Sequence, residues 1–559
     1  MSFTSFPLLP TGLSAPAFNF SSGVTQVAFD NLFSAVGGRL FPGVPLAYPC
    51  FSGGAGDGTK CLTVQVSFRT DDFGAFVNTQ WETCQTTGAQ CLLDSADPTD
   101  SKVLPASTEC KLGSIPGYFI DIRKAEDVAA AFRFSEETGI PLVVKNTGHD
   151  YRGRSSAPDS LGLWMHNLKD MTYHPGFVPE DCSLVQPAVT IGAGVQWAEA
   201  YEFADAHNIT LVGGSDRSVG VVGGWLQGGG HSVLSNTLGL GVDRVLQFRV
   251  VTPDGELRVA NACKNKDLFF ALRGGGGGTF GVVLEATILA SPPVTLQTVI
   301  VSWPAPNRTL TDELWSIMAD NALEWAAEGW GGFSMSEIAI LVNPVLDAKR
   351  AVSSMKPLID FGERLQRDRV SGAQTVVTTL PSFLAFFNAF TLEHVASVGT
   401  SLAIASRLVD KGSFQTPENR TRLVAALQAT NDAGPGMIIL LAPPFSYPHQ
   451  GGTSVTDAWH SSIYHVTAVA SWAWNVTVAE KRTAYQSASS AMDNLRRITP
   501  DAAYLNEADV YEPNHEVSFW GSHYQELLRI KRKYDPKQLL DCWQCVGWNP
   551  RSSRFSCYL

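Results

Sequence analysis

The sequence has no long apolar run and no cluster of positive charge. No segment reaches the roughly 18 consecutive apolar residues of a membrane-spanning helix, so no membrane span is predicted. The net charge is −12 at pH 7 without a Lys/Arg-rich stretch, which argues against a nucleic-acid partner or an anionic membrane surface. Charged residues make up 17% of the chain and hydrophobic residues 44%, a balance typical of folded globular proteins.

Two common nucleotide-binding fingerprints are also missing. A G-x-G-x-x-G pattern begins at Gly192 and Gly194, but Trp197 stands where the third glycine is required. The P-loop pattern is absent. Glycines that contact a nucleotide in this chain must therefore do so in another way.

Metal-ligand spacing is absent from the sequence as well. His149, His166 and His231 are not spaced as the ligands of a zinc centre are, and the Cys542-x-x-Cys545 motif has no second pair. We therefore predict no metal site. We interpret Cys542 and Cys545 as a disulfide, or as two packed thiols, rather than as a redox motif.

The 10 cysteines and five glycosylation sequons indicate the secretory pathway. Half of the cysteines precede residue 111, which predicts a disulfide-stapled N-terminal region. Residues 1–16, however, lack the basic and apolar regions of a signal peptide, so the compartment stays open. The sequons are at Asn19, Asn208, Asn307, Asn419 and Asn475.

The length of 559 residues exceeds what one compact core usually holds, so two or three lobes are expected. Alternating strand and helix patterns begin near Tyr118, and residues 141–145 (PLVVK) predict a buried strand that ends in a turn. Residues 434–452 are rich in Gly and Pro and predict a mobile loop. Trp472 and Trp474, in a predicted strand over 466–474, are candidates for an apolar pocket or for the core.

Four ordered motifs carry most of the functional information. They are residues 145–155 (KNTGHDYRGRS), 219–231 (VGVVGGWLQGGGH), 273–283 (RGGGGGTFGVV) and the tail motif 504–509 (YLNEAD), which a closing helix over 530–536 follows. Together they closely resemble the vanillyl-alcohol-oxidase flavoprotein superfamily. Within it, the sequence is similar to the berberine-bridge-enzyme-like branch, and especially to fungal isoamyl-alcohol-oxidase-like members.

This resemblance implies an α+β fold with two lobes. Residues 112–290 and the C-terminal segment 500–559 would form the PCMH-type FAD-binding domain. Residues 291–499 would form a substrate lobe whose antiparallel sheet, backed by helices, covers the flavin. Residues 1–111 are left as a Cys-containing lead-in.

The resemblance also implies FAD, attached through a histidine of the first motif, and the matching residue is His149. The alternative is a turn histidine bonded to backbone. Many branch members add a second link through cysteine, but Asp216 stands at that register, so single attachment is predicted. Glycine lets backbone N–H groups surround a diphosphate and approach a flat ring. The other residues expected to bind FAD are Asn146, Thr147, Gly148, Asp150, Tyr151, Ser155, Val219, Gly220, Gly223, Gly224, Gly228, Gly229, Gly230 and Val283.

The implied activity is that of an FAD-linked oxidoreductase. It would take a hydride from an alcohol, C–H or C–N group of a small organic substrate, such as a secondary metabolite, and pass the electrons to O2. Tyr504 is the candidate base, Asn506 would bond near the flavin or substrate, and His231 would lie by the ring. Glu507 and Asp509 are interpreted as solvated or structural carboxylates.

Several alternatives remain at the level of sequence. A dehydrogenase would use another electron acceptor, and a flavin-binding protein without turnover would hold the cofactor only. A secreted glycan-binding or structural protein would hold no flavin at all. A monomer is expected, with small molecules rather than macromolecules as partners.

Overall fold

The computed structural model describes residues 25–51, 58–67, 79–104, 109–390, 399–434, 436–449 and 451–559. The described residues form three sheets and a set of helices, so the chain is an α+β protein, as predicted. The strands are β1 (Leu40–Pro42), β2 (Tyr118–Asp121), β3 (Leu142–Lys145), β4 (Leu161–Trp164), β5 (Met171–Phe177), β6 (Gln186–Gly192), β7 (Val245–Val251), β8 (Leu257–Asn261), β9 (Val282–Leu289), β10 (Leu296–Ser302), β11 (Gly331–Ser334), β12 (Ile338–Asn343), β13 (Gln374–Leu380), β14 (Ser401–Asp410), β15 (Gly436–Leu441) and β16 (Ser462–Trp472).

The helices differ widely in length, from single turns near the glycine-rich segments to 20 residues in α9. They are α1 (Gln26–Ala35), α2 (Gly58–Ser67), α3 (Thr79–Glu82), α4 (Ala125–Thr138), α5 (Trp197–Ala206), α6 (Gly224–Gln227), α7 (Ser235–Leu238), α8 (Lys266–Leu272), α9 (Arg308–Ala327), α10 (Ala348–Ser354), α11 (Lys356–Arg367), α12 (Phe383–Phe390), α13 (Pro417–Ala433), α14 (Ala458–Ser461), α15 (Val478–Arg496), α16 (His515–Trp520) and α17 (Tyr524–Tyr534). No helix among the described residues is long and apolar enough to cross a membrane.

The first sheet places the first motif. Its strand order is β1-β2-β4-β3, and β2, β4 and β3 run parallel. Helix α4 connects β2 to β3 and ends at Gly139, which adopts a left-handed φ of 73°. Strand β3 ends at Lys145, so the turn that follows it lies at the carboxyl edge of the parallel strands, where ligands bind in many α/β sheets.

A second, antiparallel sheet of five strands follows in the order β5-β6-β9-β7-β8. It shares one apolar core with the first sheet, in which Phe132 of α4 and Phe248 of β7 are both buried. The C-terminal segment joins this core through Leu527 and Ile530 of α17. Lys531 fixes the same helix because its Nζ atom donates to the carbonyl of Thr279, 2.7 Å away.

The third sheet has seven antiparallel strands in the order β13-β10-β12-β11-β15-β16-β14. Side chains alternate between its two faces. Val299 and Val301 of β10 pack in the core that contains helices α9, α11, α13 and α15, whereas Ile300 belongs to the core of the first two sheets. The sheet is therefore backed by helices on one face and covers the other lobe with its opposite face, as predicted.

One local feature differs from the expectations drawn from sequence, and for Trp472 and Trp474 the structure decides between a pocket and a core. Residues 434–452 are not one loop, because the apolar segment Gly436–Leu441 forms β15 in the middle of the seven-stranded sheet. Trp472 packs against Tyr485, with ring centroids 5.3 Å apart, and so belongs to the helix-backed core. Trp474 packs against a small core of the N-terminal region rather than lining a pocket in the sheet.

All 10 cysteines are paired in disulfides. The bonds Cys50–Cys61 and Cys91–Cys110 lie within the N-terminal region, as its cysteine density predicts. Cys84–Cys557 ties that region to the end of the chain, and Cys182–Cys263 spans the five-stranded sheet region. The Cys542-x-x-Cys545 motif is a disulfide, one of the two interpretations that the sequence allowed.

Candidate active site

The turn after β3 is packed against the glycine-rich segment 219–230. A Cβ atom on Gly220 would lie 1.7 Å from Oδ1 of Asn146, and one on Gly223 would lie 2.8 Å from the Asn146 Cβ atom. The Asn146 Nδ2 group donates to the carbonyl of Ala193, but its Oδ1 atom is buried without a protein partner. Buried polar atoms normally have a hydrogen-bond partner. We therefore expect a bound ligand to supply the missing partner of Asn146 Oδ1.

The C-terminal motif lies on the other side of the same glycine-rich segment. A Cβ atom on Gly228 would lie 2.5 Å from Oδ1 of Asn506, so only glycine permits this approach. Asn506 Nδ2 donates to the carbonyl of Gly224 over 2.8 Å, and the Gly230 N–H donates to the Tyr504 hydroxyl over 3.3 Å. The glycine-rich segment is therefore held between the first motif and the C-terminal motif.

These surroundings fit a flat ligand that carries phosphate, such as FAD. Besides Asn146 Oδ1, the buried atoms Arg154 Nη1 and Gln227 Oε1 have no protein partner. A dinucleotide offers acceptors in its phosphates and both donors and acceptors along its ring edge, so it could pair with such atoms. The glycines leave backbone open to the same ligand.

His149 is positioned by two side chains that follow α5. Its Nε2 atom lies 2.7 Å from Oγ of Ser218 and 3.7 Å from Oδ1 of Asp216. Ser218 in turn donates to Asp216 through its hydroxyl over 3.0 Å and through its backbone N–H over 2.9 Å. Asp216 thus orients the His149 imidazole through Ser218.

Asp150 and Arg154 form an ion pair within the first turn and extend it to the C-terminal motif. The Arg154 Nε group donates to Oδ1 of Asp150 over 2.9 Å. Its Nη2 group donates to Oδ1 of Asn506 over 3.0 Å. The guanidinium therefore joins the first motif to Asn506, although 352 positions separate the two residues in sequence.

The other expected FAD-binding residues of the first turn lie beside these groups. Thr147 is buried, and Gly148 has a φ of 104°, which favours glycine. Burial, and then the negative charges of Glu507 and Asp216, raise the pKa of Tyr151 well above its ordinary value.

Four more of the residues expected to bind FAD lie outside the first turn, in separate parts of the fold. Ser155 is half-buried in the loop that continues the first turn. Val219 accepts a hydrogen bond from the Trp197 N–H over 3.0 Å at the start of α5. A Cβ atom on Gly229 would lie 3.3 Å from the Tyr504 ring. Val283 is buried in β9, opposite Val250, within the core of the five-stranded sheet.

The centre of the site is a carboxylate between two imidazoles. His231 Nε2 lies 2.9 Å from Oε1 of Glu507, and His465 Nε2 lies 2.7 Å from Oε2 of the same residue. His465 comes from β16, where Tyr464 and Val466 point into the helix-backed core and alternation sends His465 to the opposite face. The trio therefore joins the glycine-rich segment, the C-terminal motif and the seven-stranded sheet.

The charge state of this trio follows from its hydrogen bonds. Burial raises the pKa of Glu507, but the electrostatic interaction with His231 and the hydrogen bonds from both imidazoles outweigh burial and hold the pKa well below its ordinary 4.5. Burial lowers the pKa of His465, whose side chain is fully buried. Glu507 is therefore ionised at neutral pH, and the side chains of Glu507 and His231 keep 22% and 14% of their exposure.

Tyr504 stands edge-on against this trio. Its ring centroid lies 5.1 Å from that of His231 and 5.6 Å from that of His465. Its hydroxyl accepts hydrogen bonds from the Gly230 N–H and from Asn506 Nδ2. Burial, and then the charge of Glu507, raise the pKa of Tyr504 well above its ordinary 10.0, so the phenol is neutral near pH 7.

Sequence reasoning missed two members of the site. Glu507 was interpreted as a solvated or structural carboxylate, but it bonds to both histidines. His465 received no role, although a histidine within the apolar segment 462–472 was a usable signal. Asp509 fits the structural interpretation, because its carboxylate accepts from Arg496 Nη2 over 3.0 Å in a buried ion-pair network.

Comparisons with known proteins agree with this geometry. A family model described as FAD binding domain matches residues 116–261, and one described as Berberine and berberine like matches residues 503–546. FAD-linked oxidoreductase ffsJ of Aspergillus flavipes is 36% identical, over 97% of this chain and 95% of the relative. The chain belongs to the superfamily of vanillyl-alcohol-oxidase-type and berberine-bridge-enzyme-like flavoproteins.

A further relative and two solved structures are similar to this flavoprotein over most of its length. FAD-linked oxidoreductase OXR2 of Pyricularia oryzae is 38% identical, over 95% of this chain and 94% of the relative. The VAO-type flavoprotein MtVAO615 of Myceliophthora thermophila superposes with a TM-score of 0.81 at 27% identity, covering 94% of this chain and 95% of that one. A glucooligosaccharide oxidase of Acremonium strictum shares the fold, with a TM-score of 0.61 at 19% identity over 77% of this chain and 92% of that one. The protein is thus an FAD-dependent oxidoreductase.

Proposed function

We propose that this flavoprotein is an oxidase that removes a hydride and a proton from an alcohol, C–H or C–N group of a small organic substrate. FAD, when bound, would supply the redox chemistry by accepting the hydride and returning two electrons to O2. The observation that carries the proposal is the ionised Glu507 between His231 and His465, beside Tyr504 and the glycine-rich segment. A carboxylate paired with imidazoles at this place serves a reaction that moves a proton.

We assign the base to His231 rather than to Tyr504. The Tyr504 phenol is neutral near pH 7 because burial and Glu507 raise its pKa, so it suits a hydrogen-bond donor to a substrate oxygen. His231 is paired with an anionic carboxylate, which stabilises the imidazolium formed when the ring takes a proton. His465 fixes the other oxygen of Glu507 and acts as a positioning residue.

We further propose that His149 holds FAD through one covalent link. Ser218 and Asp216 orient its imidazole, and a correctly oriented neutral ring is a competent nucleophile. The Acremonium strictum oxidase carries a 6-S-cysteinyl, 8α-N1-histidyl FAD. A cysteinyl link needs a thiolate, and all 10 cysteines of this chain are in disulfides. We therefore propose that the His149 link is the only covalent bond to FAD.

The domain assignment is part of the same proposal. Residues 112–290 together with 500–559 would form the FAD-binding domain, and 291–499 the substrate lobe. Support comes from the shared core of the first two sheets and α17, and from the separate core behind the seven-stranded sheet.

The attachment is tested on acid-denatured protein after gel electrophoresis, where a covalently bound flavin fluoresces with the polypeptide. Wild-type protein should give a fluorescent band and His149→Ala none. His207→Ala is the matched control, since His207 is an exposed histidine at the end of α5. Equal fluorescence of the His149→Ala band would refute attachment through His149.

The reaction type is tested by screening alcohols, sugars and aromatic metabolites for flavin bleaching without oxygen. Each substrate that bleaches the flavin is then assayed for peroxide in air and for reduction of a quinone or dye acceptor. We expect peroxide to form in proportion to the substrate consumed. Bleaching with dye reduction but no peroxide would contradict the oxidase and indicate a dehydrogenase.

A further inference from the structure

Three metal-ligating side chains from separate parts of the chain meet outside the His231–Glu507–His465 trio. Asp243 lies in the turn Gly241–Arg244, His449 in the loop after β15, and His460 in α14. One candidate ligand atom from each residue lies within 4.8 Å of the other two. The two imidazoles face each other, with ring centroids 3.6 Å apart and an interplanar angle of 28°.

The hydrogen bonding of His460 is incomplete. Both of its ring nitrogens are buried, and neither has a hydrogen-bond partner. A neutral imidazole carries one N–H donor and one lone pair, and burying both without partners is unfavourable. A bound cation would use the lone pair.

Asp243 can contribute a carboxylate oxygen to the same place. Its Oδ2 atom accepts from the Leu240 N–H over 2.8 Å, which fixes the side chain in the turn. The positive charges of Arg244 and Arg273 also act on Asp243, but their guanidinium groups donate hydrogen bonds to other residues. Arg244 Nη2 donates to Ser291 Oγ, and Arg273 Nη2 donates to the carbonyl of Gly452.

We propose that Asp243, His449 and His460 form a binding site for one divalent transition-metal ion of the zinc type. Two imidazoles and one carboxylate are a ligand set that such ions favour over Mg²⁺ or Ca²⁺. Three protein ligands leave a position for water or another ligand. The sequence could not indicate this site, because the turn with Asp243 lies far from the other two ligands along the chain.

The position of the site suggests what the ion does. His460 directly follows Trp459, whose ring packs against those of His231 and Tyr504 at centroid distances of 6.3 and 5.4 Å. An ion held by His449 and His460 would tie the loop between β15 and α14 to the Asp243 turn. The proposed metal would therefore anchor the wall behind the acid/base trio and take no part in the redox chemistry.

The test is a titration of flavin-loaded, EDTA-treated, full-length protein with Co²⁺, followed by displacement with Zn²⁺. We expect visible Co²⁺ d–d bands at a stoichiometry of one ion per chain, which Zn²⁺ abolishes. His449→Gln should weaken binding on the order of 10-fold or more. Because His449 is exposed, this variant should fold normally, which its thermal unfolding will check.

Two further variants make the result specific. His207→Gln, an exposed histidine outside the cluster, should bind Co²⁺ as the wild type does. His465→Gln removes an imidazole of the His231–Glu507–His465 trio and should also bind Co²⁺ as the wild type does. Equal Co²⁺ affinity in wild type and His449→Gln, or binding lost in His465→Gln but kept in His449→Gln, would overturn the proposal. Neither result depends on turnover, so the site and the oxidase activity can fail separately.

Discussion

His231 Nε2 lies 2.9 Å from one carboxylate oxygen of Glu507, and the second oxygen is held by His465 at 2.7 Å. Each oxygen of this carboxylate is thus paired with an imidazole, and the two imidazoles come from two different lobes. This arrangement stabilises a positive charge on His231 as the ring takes a proton. Removal of the Glu507 charge should therefore slow flavin reduction.

Glu507→Gln keeps the size of the side chain but removes its charge. We expect the rate of anaerobic flavin reduction to fall by roughly 10²–10⁴-fold, because the imidazolium loses its counter-ion and the imidazole loses its fixed orientation. Stopped-flow bleaching of the flavin measures this rate. Glu516→Gln, at an exposed position in α16, is the control. Reduction of the Glu507→Gln enzyme at the wild-type rate would contradict the assignment of His231 as the base.

The reduction rate of this enzyme should also distinguish the two candidates for the base. Tyr504→Phe removes the hydroxyl that Gly230 and Asn506 bond, but it leaves the His231–Glu507 pair in place. We expect a smaller loss than for Glu507→Gln, with the larger part in KM if Tyr504 only donates to the substrate. A loss in kcat larger than that of Glu507→Gln would instead identify Tyr504 as the base.

Much of the site was predictable because its first half is continuous in sequence. The turn that begins with Asn146 and the glycines at 220 and 223 are local patterns, and their packing requires glycine. The environment of Glu507 was not predictable, because it is set by His465 from a strand of the other lobe. Strand β15 was missed for a similar reason. Flanking Gly and Pro residues indicate a loop, but the neighbouring strands β11 and β16 pair with the segment Gly436–Leu441.

Helix boundaries show the same limit on a smaller scale. The sequence pattern typical of a helix covers residues 313–328, but α9 begins at Arg308 because the Asn307 side chain accepts from the Leu310 N–H and caps the helix. Periodicity finds the apolar face of a helix, whereas a cap extends the helix over residues that have no such face. Asn307 is also a sequon residue, but a glycan on its Nδ2 atom would leave the Oδ1 atom that caps the helix unmodified.

The disulfide between Cys84 and Cys557 should contribute more to stability than the one between Cys542 and Cys545. The first closes a loop with a sequence separation of 473, the second one with a separation of 3. Constraining the unfolded chain stabilises more when the loop is longer, so we expect Cys84→Ser/Cys557→Ser to lose about 2–5 kcal/mol. The matched double variant Cys542→Ser/Cys545→Ser should lose less. Chemical denaturation of both variants measures the difference, and equal losses would contradict the loop argument.

Asp541 should make the protein less stable as the pH rises through weakly acidic values. Burial raises the pKa of Asp541 from 3.8 to about 6, against the opposing charge of Arg554. In the native state Asp541 therefore keeps its proton at pH values where the unfolded chain has lost it. The contribution of Asp541 to the free energy of unfolding falls between about pH 4 and pH 6. Asp541→Asn stays neutral throughout. Its stability relative to wild type should rise across this window, by on the order of 2–3 kcal/mol in total, and then stay level. A difference that does not change with pH would refute the raised pKa.

Gly220→Ala should impair flavin binding without unfolding the protein. Its new Cβ atom would lie 1.7 Å from Oδ1 of Asn146, so the first turn has to move away from the glycine-rich segment. Because Asn146 begins the turn that carries His149, we expect the purified variant to contain much less flavin and to form less covalent adduct. The measurement is the ratio of flavin to protein absorbance, together with fluorescence of the denatured band. Gly436→Ala is the matched control, since a Cβ atom there meets nothing within 4 Å. Full flavin content in Gly220→Ala would show that the turn tolerates this displacement, and that the contact between Asn146 and Gly220 does not hold the cofactor site together.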